Sequence, residues 1–172
     1  MINYSKMNGN GNDFVIINSI ESAINLKKDF IQKIACRKKG IGFDQLIFIE
    51  KEKENLFPIT IFNSDGGEVG ACGNGSRCIA YLLGKKINSK SIKVKTNNRI
   101  LDAEITGNLT VKLNMGKPLF DWNKIPLAKK IDNKKVDLMI DGKLFKSGFC
   151  LNVGNPHIVF FVKNCFEYDL KN

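Results

Sequence analysis

The sequence predicts an α+β fold in which strands surround or cover one principal helix. Short β-branched runs recur along the chain, glycine- and asparagine-rich turns separate them, and one apolar-patterned segment follows directly on a glycine loop. At 172 residues the chain is close to the roughly 150 of a single domain, so it allows one large domain or two small ones. Hydrophobic residues are 43% and charged residues 26%, with 12 Phe spread along the length, which excludes a disordered or collagen-like chain.

Asn3 to Met7 and Phe14 to Asn18 read as two strands around the turn Asn8-Gly9-Asn10-Gly11-Asn12, a hairpin-like opening. From Asp29 to Cys36, Phe30, Ile31 and Ile34 fall at helical spacing, and Gly40 and Gly42 end that segment before the strand Gln45 to Ile49. Pro58 to Phe62 is a further β-branched run. Asn63 to Gly75 then holds five of the 15 glycines and feeds the principal helix, expected over Arg77 to Lys86. Ser91 to Asn114 reads as antiparallel β throughout, with turns at Asn97-Asn98 and Gly107-Asn108. Gly116 to Asn133, with Pro118 and Pro126, reads as a connector, and strands resume at Val136, Lys143 and Ile158. These readings divide the chain into a domain over residues 1–116 and a second unit over residues 117–172. The second has three or four strands and no helix, near the lower limit for a self-supporting core.

The formal charge is +10, which raises nucleic acid or another polyanion as a partner. The distribution argues against it, because lysines are scattered through every expected element and only three arginines occur, at 37, 77 and 99. The basic surplus reads as solvated surface. The longest apolar runs, such as Leu46 to Ile49 and Ile158 to Val162, fall far short of the ~18 residues of a membrane span. The N-terminal residues lack the apolar core of a secretory signal, and five cysteines, an odd count without paired spacing, read as reduced thiols. The expected setting is the cytoplasm, with no nucleic acid and no membrane.

The sharpest local feature runs from Asn63 to Cys78 and places Cys72 where a helix begins. The free N–H groups and dipole of a helix N-terminus favour negative charge, the setting in which a thiol serves as base or nucleophile. Cys72 is therefore the candidate base or nucleophile. Gly73 and Gly75 let backbone come close to a carboxylate or phosphate, since no Cβ intervenes. The same spacing also fits a glycine-rich turn with an incidental buried cysteine. A phosphate-binding P-loop is excluded by the missing Gly-Lys-Ser/Thr, and the last glycine of a dinucleotide fingerprint is absent. Zinc fails because Cys72 and Cys78 have no further Cys or His pair nearby, and Cys78 reads as core. His157, in Gly154-Asn155-Pro156-His157, is the single histidine. It is either structural or a partner that tunes a thiol; Cys with His and Asn is also the set used by a cysteine hydrolase, and both functional readings need proximity to Cys72.

Four blocks then carry a resemblance: residues 6–14, Lys-Met-Asn-Gly-Asn-Gly-Asn-Asp-Phe; residues 40–45, Gly-Ile-Gly-Phe-Asp-Gln; residues 62–66 continuing through Ala71-Cys72-Gly73-Asn74-Gly75-Ser76-Arg77-Cys78; and residues 154–157. In this order and at these intervals the chain resembles the diaminopimelate epimerase family, bacterial enzymes of lysine and cell-wall precursor synthesis that interconvert LL- and meso-diaminopimelate without pyridoxal phosphate. Gly67, Gly70 and Ala71 depart from the family pattern just before the cysteine, which touches turn shape more than chemistry. The resemblance implies two similar domains, each a curved mixed or antiparallel sheet around a central helix, facing each other across a substrate cleft. It implies that Cys72 is one of two acid/base thiols and that Gly73 and Asn74 donate to the reacting carboxylate. It further implies that Asn12, Gln45, Asn63 and Asn155 contact substrate and that His157 modulates thiol acidity. No cofactor and no metal are implied; diaminopimelate is the expected small-molecule partner, and a homodimer is a form open to the full-length protein.

Inverting a stereocentre by proton transfer needs a base on one face and an acid on the other. Cys78 lies six residues beyond Cys72, about 9 Å along a helix and rotated by about 240°, so it does not supply the second group. In the family the second thiol comes from a Cys-Gly-Thr-Gly-like motif beyond the present residues, as do distal arginine and glutamate contacts. The favoured expectation is an N-terminal domain with the start of a second, incomplete one, inactive by itself. A split enzyme or binding module, and a hydrolase using Cys72 and His157, are the alternatives.

Overall fold

In the computed structural model, which describes residues 2–18, 27–97 and 99–168, the chain separates into two units, Met1–Gly116 and Lys117–Asn172. The sheet of the first unit contains β1 (Ser5–Gly9), β2 (Asn12–Asn18), β3 (Gln45–Ile49), β4 (Leu56–Asn63), β5 (Glu68–Val69), β6 (Ser91–Lys95), β7 (Ile100–Gly107) and β8 (Thr110–Asn114). Their hydrogen-bonded order is β1-β2-β3-β4-β6-β7-β8, with β5 paired to β4. The pairs β2–β3 and β4–β6 are parallel and the rest antiparallel, so the sheet is mixed. A parallel pair needs a crossover. Helix α1 (Lys28–Ala35) lies in the first crossover and helix α2 (Gly73–Ile87) in the second. Helix α2 touches β1, β2 and β3 at one end of the strand order and β6, β7 and β8 at the other. One helix reaches both edges only if the sheet curls around it, which is the α+β architecture expected.

The two helices cover opposite faces of the central strands. Phe14, Ile16, Ile47, Ile49, Ile59 and Ile61 pack with Ile79, Ala80 and Leu83 of α2. The alternate residues Val15, Ile17, Leu46 and Phe48 pack with Ile31 and Ala35 of α1 and with Phe43. Strands buried on both faces read as continuous apolar runs, which is why residues 14–17 and 46–49 are uninterrupted. Each fully buried Ile or Phe here contributes about 1.5–3 kcal/mol through removal from water.

The element boundaries differ from expectation at two places. The opening hairpin closes over two residues, Asn10 (φ 52°) and Gly11 (φ 89°), instead of five, because two successive left-handed residues match the twist of the flanking strands. Helix α2 begins at Gly73, four residues before the expected Arg77. Glycine costs a helix about 1 kcal/mol relative to alanine. Packing overrides that cost, since a Cβ on Gly75 would stand 2.7 Å from Ile47 Cδ1 and 3.3 Å from Phe14 Cε1. At the other end Asn88 takes the left-handed conformation (φ 53°) and Ser89 N–H donates to Gly84 O at 2.9 Å. The two-residue β5 was not expected at all. The turn expected at Asn97-Asn98 reaches outside the described residues at Asn98.

The second unit contains an antiparallel sheet of β9 (Val136–Ile140), β10 (Lys143–Asn152) and β11 (Pro156–Val159) in the order β11-β10-β9. The connector before β9 is held by a bridge between Leu119 and Asn152 and by Asn133, whose Nδ2 donates to Cys150 O at 2.9 Å. Among its described residues the buried apolar side chains are Ile125 and Cys150. No helix among the described residues is long and apolar enough to cross a membrane.

A polar clamp joins the β1–β2 hairpin to the segment between α1 and β3. Arg37 donates to Asp13 Oδ2 at 2.6 Å and to Asp44 Oδ1 at 2.8 Å. Asp13 N–H donates to Asp44 Oδ2 at 2.8 Å, and Asp44 N–H donates to Asp13 O at 2.9 Å. The Arg37 hydrogen bond, followed by that of Asn8, holds the Asp13 carboxyl below the usual range. For Asp44 the Asp13 backbone N–H is the largest lowering cause, followed by Arg37.

Two outcomes follow from this packing. Gly84→Ala should destabilise the protein, although Gly to Ala inside a helix ordinarily stabilises by about 0.4–1 kcal/mol. Its Cβ would stand 2.1 Å from Ile105 Cδ1 and 2.6 Å from the backbone O of Ser89. Overpacking of that kind costs about 1–3 kcal/mol, so urea unfolding should show a lower midpoint, while Gly107→Ala stays near wild type. The clamp gives an acid-side signature. Both carboxyls bind protons less readily folded than unfolded, so their contribution is complete above the ordinary carboxylate pKa and is lost as pH falls through the lowered folded values. Thermal melts between about pH 5 and pH 3 should fall more steeply for wild type than for Arg37→Gln.

Candidate active site

Period-two alternation carries three amide side chains to one place. On the α2 face of the sheet, Asn12 precedes Phe14, Gln45 precedes Ile47 and Asn63 follows Ile61, each one alternation beyond the apolar core. Phe14 pairs with Gln45 and Gln45 with Asn63, so these positions share one margin of the sheet. Helix α2 starts against the same margin, because Gly75 sits within contact of Phe14, Ile47 and the Cys72 sulfur.

Cys72 is the N-cap of α2; its Sγ accepts from Gly75 N–H at 3.4 Å and its carbonyl from Ser76 N–H at 2.9 Å. The residue is half-buried and packs against the core on the α2 face of the sheet. The N–H groups of Gly73 and Asn74 have no acceptor among the described residues, as the first turn of a helix requires unless a cap or ligand serves them. Asn74 Nδ2 donates to Asn12 Oδ1 at 2.7 Å, and the Arg77 guanidinium donates to Asn74 Oδ1. Gln45 Nε2 donates to Asn63 Oδ1 at 3.0 Å, while Gln45 Oε1 is buried with no partner among the described residues. Gly9 admits the helix here: a Cβ on it would stand 3.0 Å from Cys78 Sγ and 3.2 Å from Asn74 O.

The structure thus brings together Cys72, Gly73, Asn74, Asn12, Gln45 and Asn63. Asn155 and His157 belong to the second unit. His157 is exposed on β11, opposite Leu151, and its Nδ1 lies 3.0 Å from Asn155 O. A carbonyl only accepts, so Nδ1 donates and the neutral ring keeps its lone pair on Nε2. Cys78 is buried, and that burial pushes its thiol pKa up; burial does the same for Cys150. Cys36, just past α1, and Cys165 are exposed. No group of three or more His, Cys, Asp and Glu converges among the described residues in a way that holds a metal.

Sequence reasoning missed Arg37, Asp13, Asp44 and Arg77 as members of this assembly. A signal existed for two of them. Asn12 is followed by Asp13 and Gln45 preceded by Asp44, so in each strand end an amide on one face adjoins a carboxylate on the other. What the arrangement can do chemically is bind a charged small molecule through neutral amides, accept an anion on the first turn of α2, and offer it a thiol.

A family model described as diaminopimelate epimerase matches residues 4–120. The chain is 46% identical over 170 residues to a diaminopimelate epimerase of Pelagibacter ubique, covering 97% of this chain and 62% of that protein. To a diaminopimelate epimerase of Coxiella burnetii it is 39% identical over 166 residues, covering 94% and 60%. The chain therefore spans about three fifths of the length of these relatives. Among solved structures, a hydroxyproline epimerase from Agrobacterium vitis matches with a TM-score of 0.62 at 10% identity, over 91% of this chain and 50% of that one. A predicted epimerase from Pseudomonas aeruginosa matches at 0.59 and 13%, over 93% and 59%. At such identities these two show the fold alone. The family match and the relatives above agree with the motif blocks, and the chain belongs to the diaminopimelate epimerase family.

Proposed function

We propose that this chain supplies one half of the active site of an enzyme interconverting LL- and meso-diaminopimelate by proton transfer, with Cys72 as one of two acid/base thiols. The observation that carries this reading is Cys72 at the start of α2 beside the unused N–H groups of Gly73 and Asn74. In the proton-abstraction direction the thiolate of Cys72 takes the α-hydrogen as a proton. The electron pair of the broken C–H bond moves into the α-carboxylate, whose growing charge meets the two N–H donors and the helix dipole. A thiol on the opposite face then returns a proton to carbon, and the centre is inverted. Asn12, Gln45 and Asn63 hold the polar groups of the substrate without adding formal charge, and Asn155, by the family resemblance, is read as a further substrate contact. His157 acts on thiol acidity in this scheme.

The opposing thiol is assigned to the part of the relatives' length that this chain does not span. Cys78 is buried behind the first turn of α2, Cys150 is buried, and Cys36 follows the helix on the far face of the sheet. Cys165 sits in a three-residue 3-10 turn with no glycine-rich helix start. Residues 117–172 are read as the beginning of the second, pseudo-symmetric domain, and the working compartment as the cytoplasm, where thiols stay reduced.

The test follows α-deuterium incorporation into diaminopimelate in deuterated water. The 172-residue chain alone should show no exchange above a Cys72→Ala control. Supplying the part of the Pelagibacter relative that this chain does not span, as a fused or separate chain, should give exchange, and Cys72→Ala should then lower it by about 10²–10⁴-fold. Robust exchange by the chain alone would remove the two-thiol mechanism. Exchange that is then indifferent to Cys72→Ala would remove Cys72 from it.

A further inference from the structure

We propose that Arg37 is a positioning residue for the amide cluster: by binding Asp13 and Asp44 together it holds the ends of β2 and β3, and with them Asn12 and Gln45, in the geometry that receives a ligand. The proposal rests on the preceding reading for the identity of that ligand and not for the positioning itself.

The β2–β3 ladder begins at the pair Phe14–Gln45 and runs inward to Asn18–Ile49. Outward of that pair, nothing in the β2–β3 ladder fixes residues 12, 13 and 44 across the two strands. Their connection is the clamp: the reciprocal bonds of Asp13 N–H to Asp44 Oδ2 and Asp44 N–H to Asp13 O, with Arg37 spanning both carboxylates. Asn12 is bonded in the chain to Asp13, and its side chain lies on the other side of the strand, where its Oδ1 accepts from Asn74 Nδ2. A continuous path therefore runs from Arg37 to Asp13, along the backbone to Asn12, from Asn12 Oδ1 to Asn74 Nδ2, and so to the first turn of α2.

Without the guanidinium, two carboxylates would face each other at the junction. Asn8 donates to Asp13 Oδ1 at 3.0 Å but carries no charge. Lys6 is the other cation near Asp13, and its Nζ is held by Ile41 O and Gly42 O at 3.2 and 2.6 Å. Neither replaces a fork that bridges both acids. Stability alone does not account for the arrangement, because the Arg37 side chain is 55% exposed and exposed ion pairs contribute little. Two cores, one on each face, hold β2 and β3 without it. The clamp thus acts on where the outermost residues of each strand sit.

The experiment uses the 172-residue chain and reads the side-chain amide NMR signals of Asn12, Gln45 and Asn74, first without ligand and then during titration with diaminopimelate. Arg37→Gln should shift these signals while lowering the melting temperature at neutral pH only by the small amount an exposed ion pair contributes, and should weaken binding by about 10- to 100-fold, as misplacing a site group by about 1 Å does. The double variant Arg37→Gln with Asp13→Asn, which removes the repulsion, should bring both signals and affinity back towards wild type. If Arg37→Gln fails to fold, Arg37→Lys, which keeps the charge but not the fork, should give an intermediate displacement. Unmoved amide signals in Arg37→Gln, or equal displacement with and without Asp13→Asn, overturn the proposal. Moved and rescued signals in a chain that does not bind diaminopimelate leave the positioning supported and sink the substrate reading instead.

Discussion

The register of β2 against β3 is the constraint from which the site follows. Both strands are buried on both faces, Phe14, Ile16, Ile47 and Ile49 towards α2 and Val15, Ile17, Leu46 and Phe48 towards α1. A slip of one residue would exchange the two apolar sets and expose neither helix to the side chains that fit it, so the pairing is strongly specified. At the strand ends the same alternation continues with polar residues. Asn12 and Gln45 fall on the side of the thiol, and Asp13 and Asp44 on the side of Arg37. One packing decision in the core therefore sorts amides from carboxylates at the margin.

The second determinant is how closely α2 lies on that sheet. Gly9, Gly75 and Gly84 each occupy a place where a Cβ would come within about 3 Å of an atom of the opposing element. The first two set the N-terminal end of α2, and hence the heights of Cys72 and Asn74 above Phe14 and Ile47. Gly84 sets the other end against Ile105. A helix seated at three points is fixed along its axis, and its unfilled N–H groups point from a defined position.

Much of this was legible in the sequence because the relevant signals are local. The glycine run before Cys72 announces a helix start with a thiol, and the continuous apolar runs around Ile16 and Ile47 announce central strands. The first turn of α2 was not legible, since glycine propensity argues against a helix, while the Cys72 cap and the close approach to Ile47 and Phe14 that requires Gly75 are tertiary features. The clamp was hidden for a different reason. Asp13 and Asp44 stand beside the amides at their strand ends, but Arg37, which joins them, lies outside any strand or helix pattern, and Asp13 and Asp44 are 31 positions apart in sequence. Two-residue elements such as β5 fall below any pattern length.

The distribution of charge explains how a site for a charged small molecule can be built from amides. Carboxylates beside the amides on the same face would compete for the ammonium groups and repel the carboxylates of a ligand. Here Asp13 and Asp44 are turned away and paired with Arg37, so Asn12, Gln45 and Asn63 face α2 as dipoles with both donor and acceptor ends. The formal charge that the described hydrogen bonds bring to this face is the Arg77 guanidinium on Asn74, which turns Asn74 Nδ2 towards Asn12. With Asp13 and Asp44 turned from the amides and donors waiting at the helix start, the proposed reaction would develop its negative charge near Cys72 among dipoles already oriented to receive it, which leaves little reorganisation to accomplish.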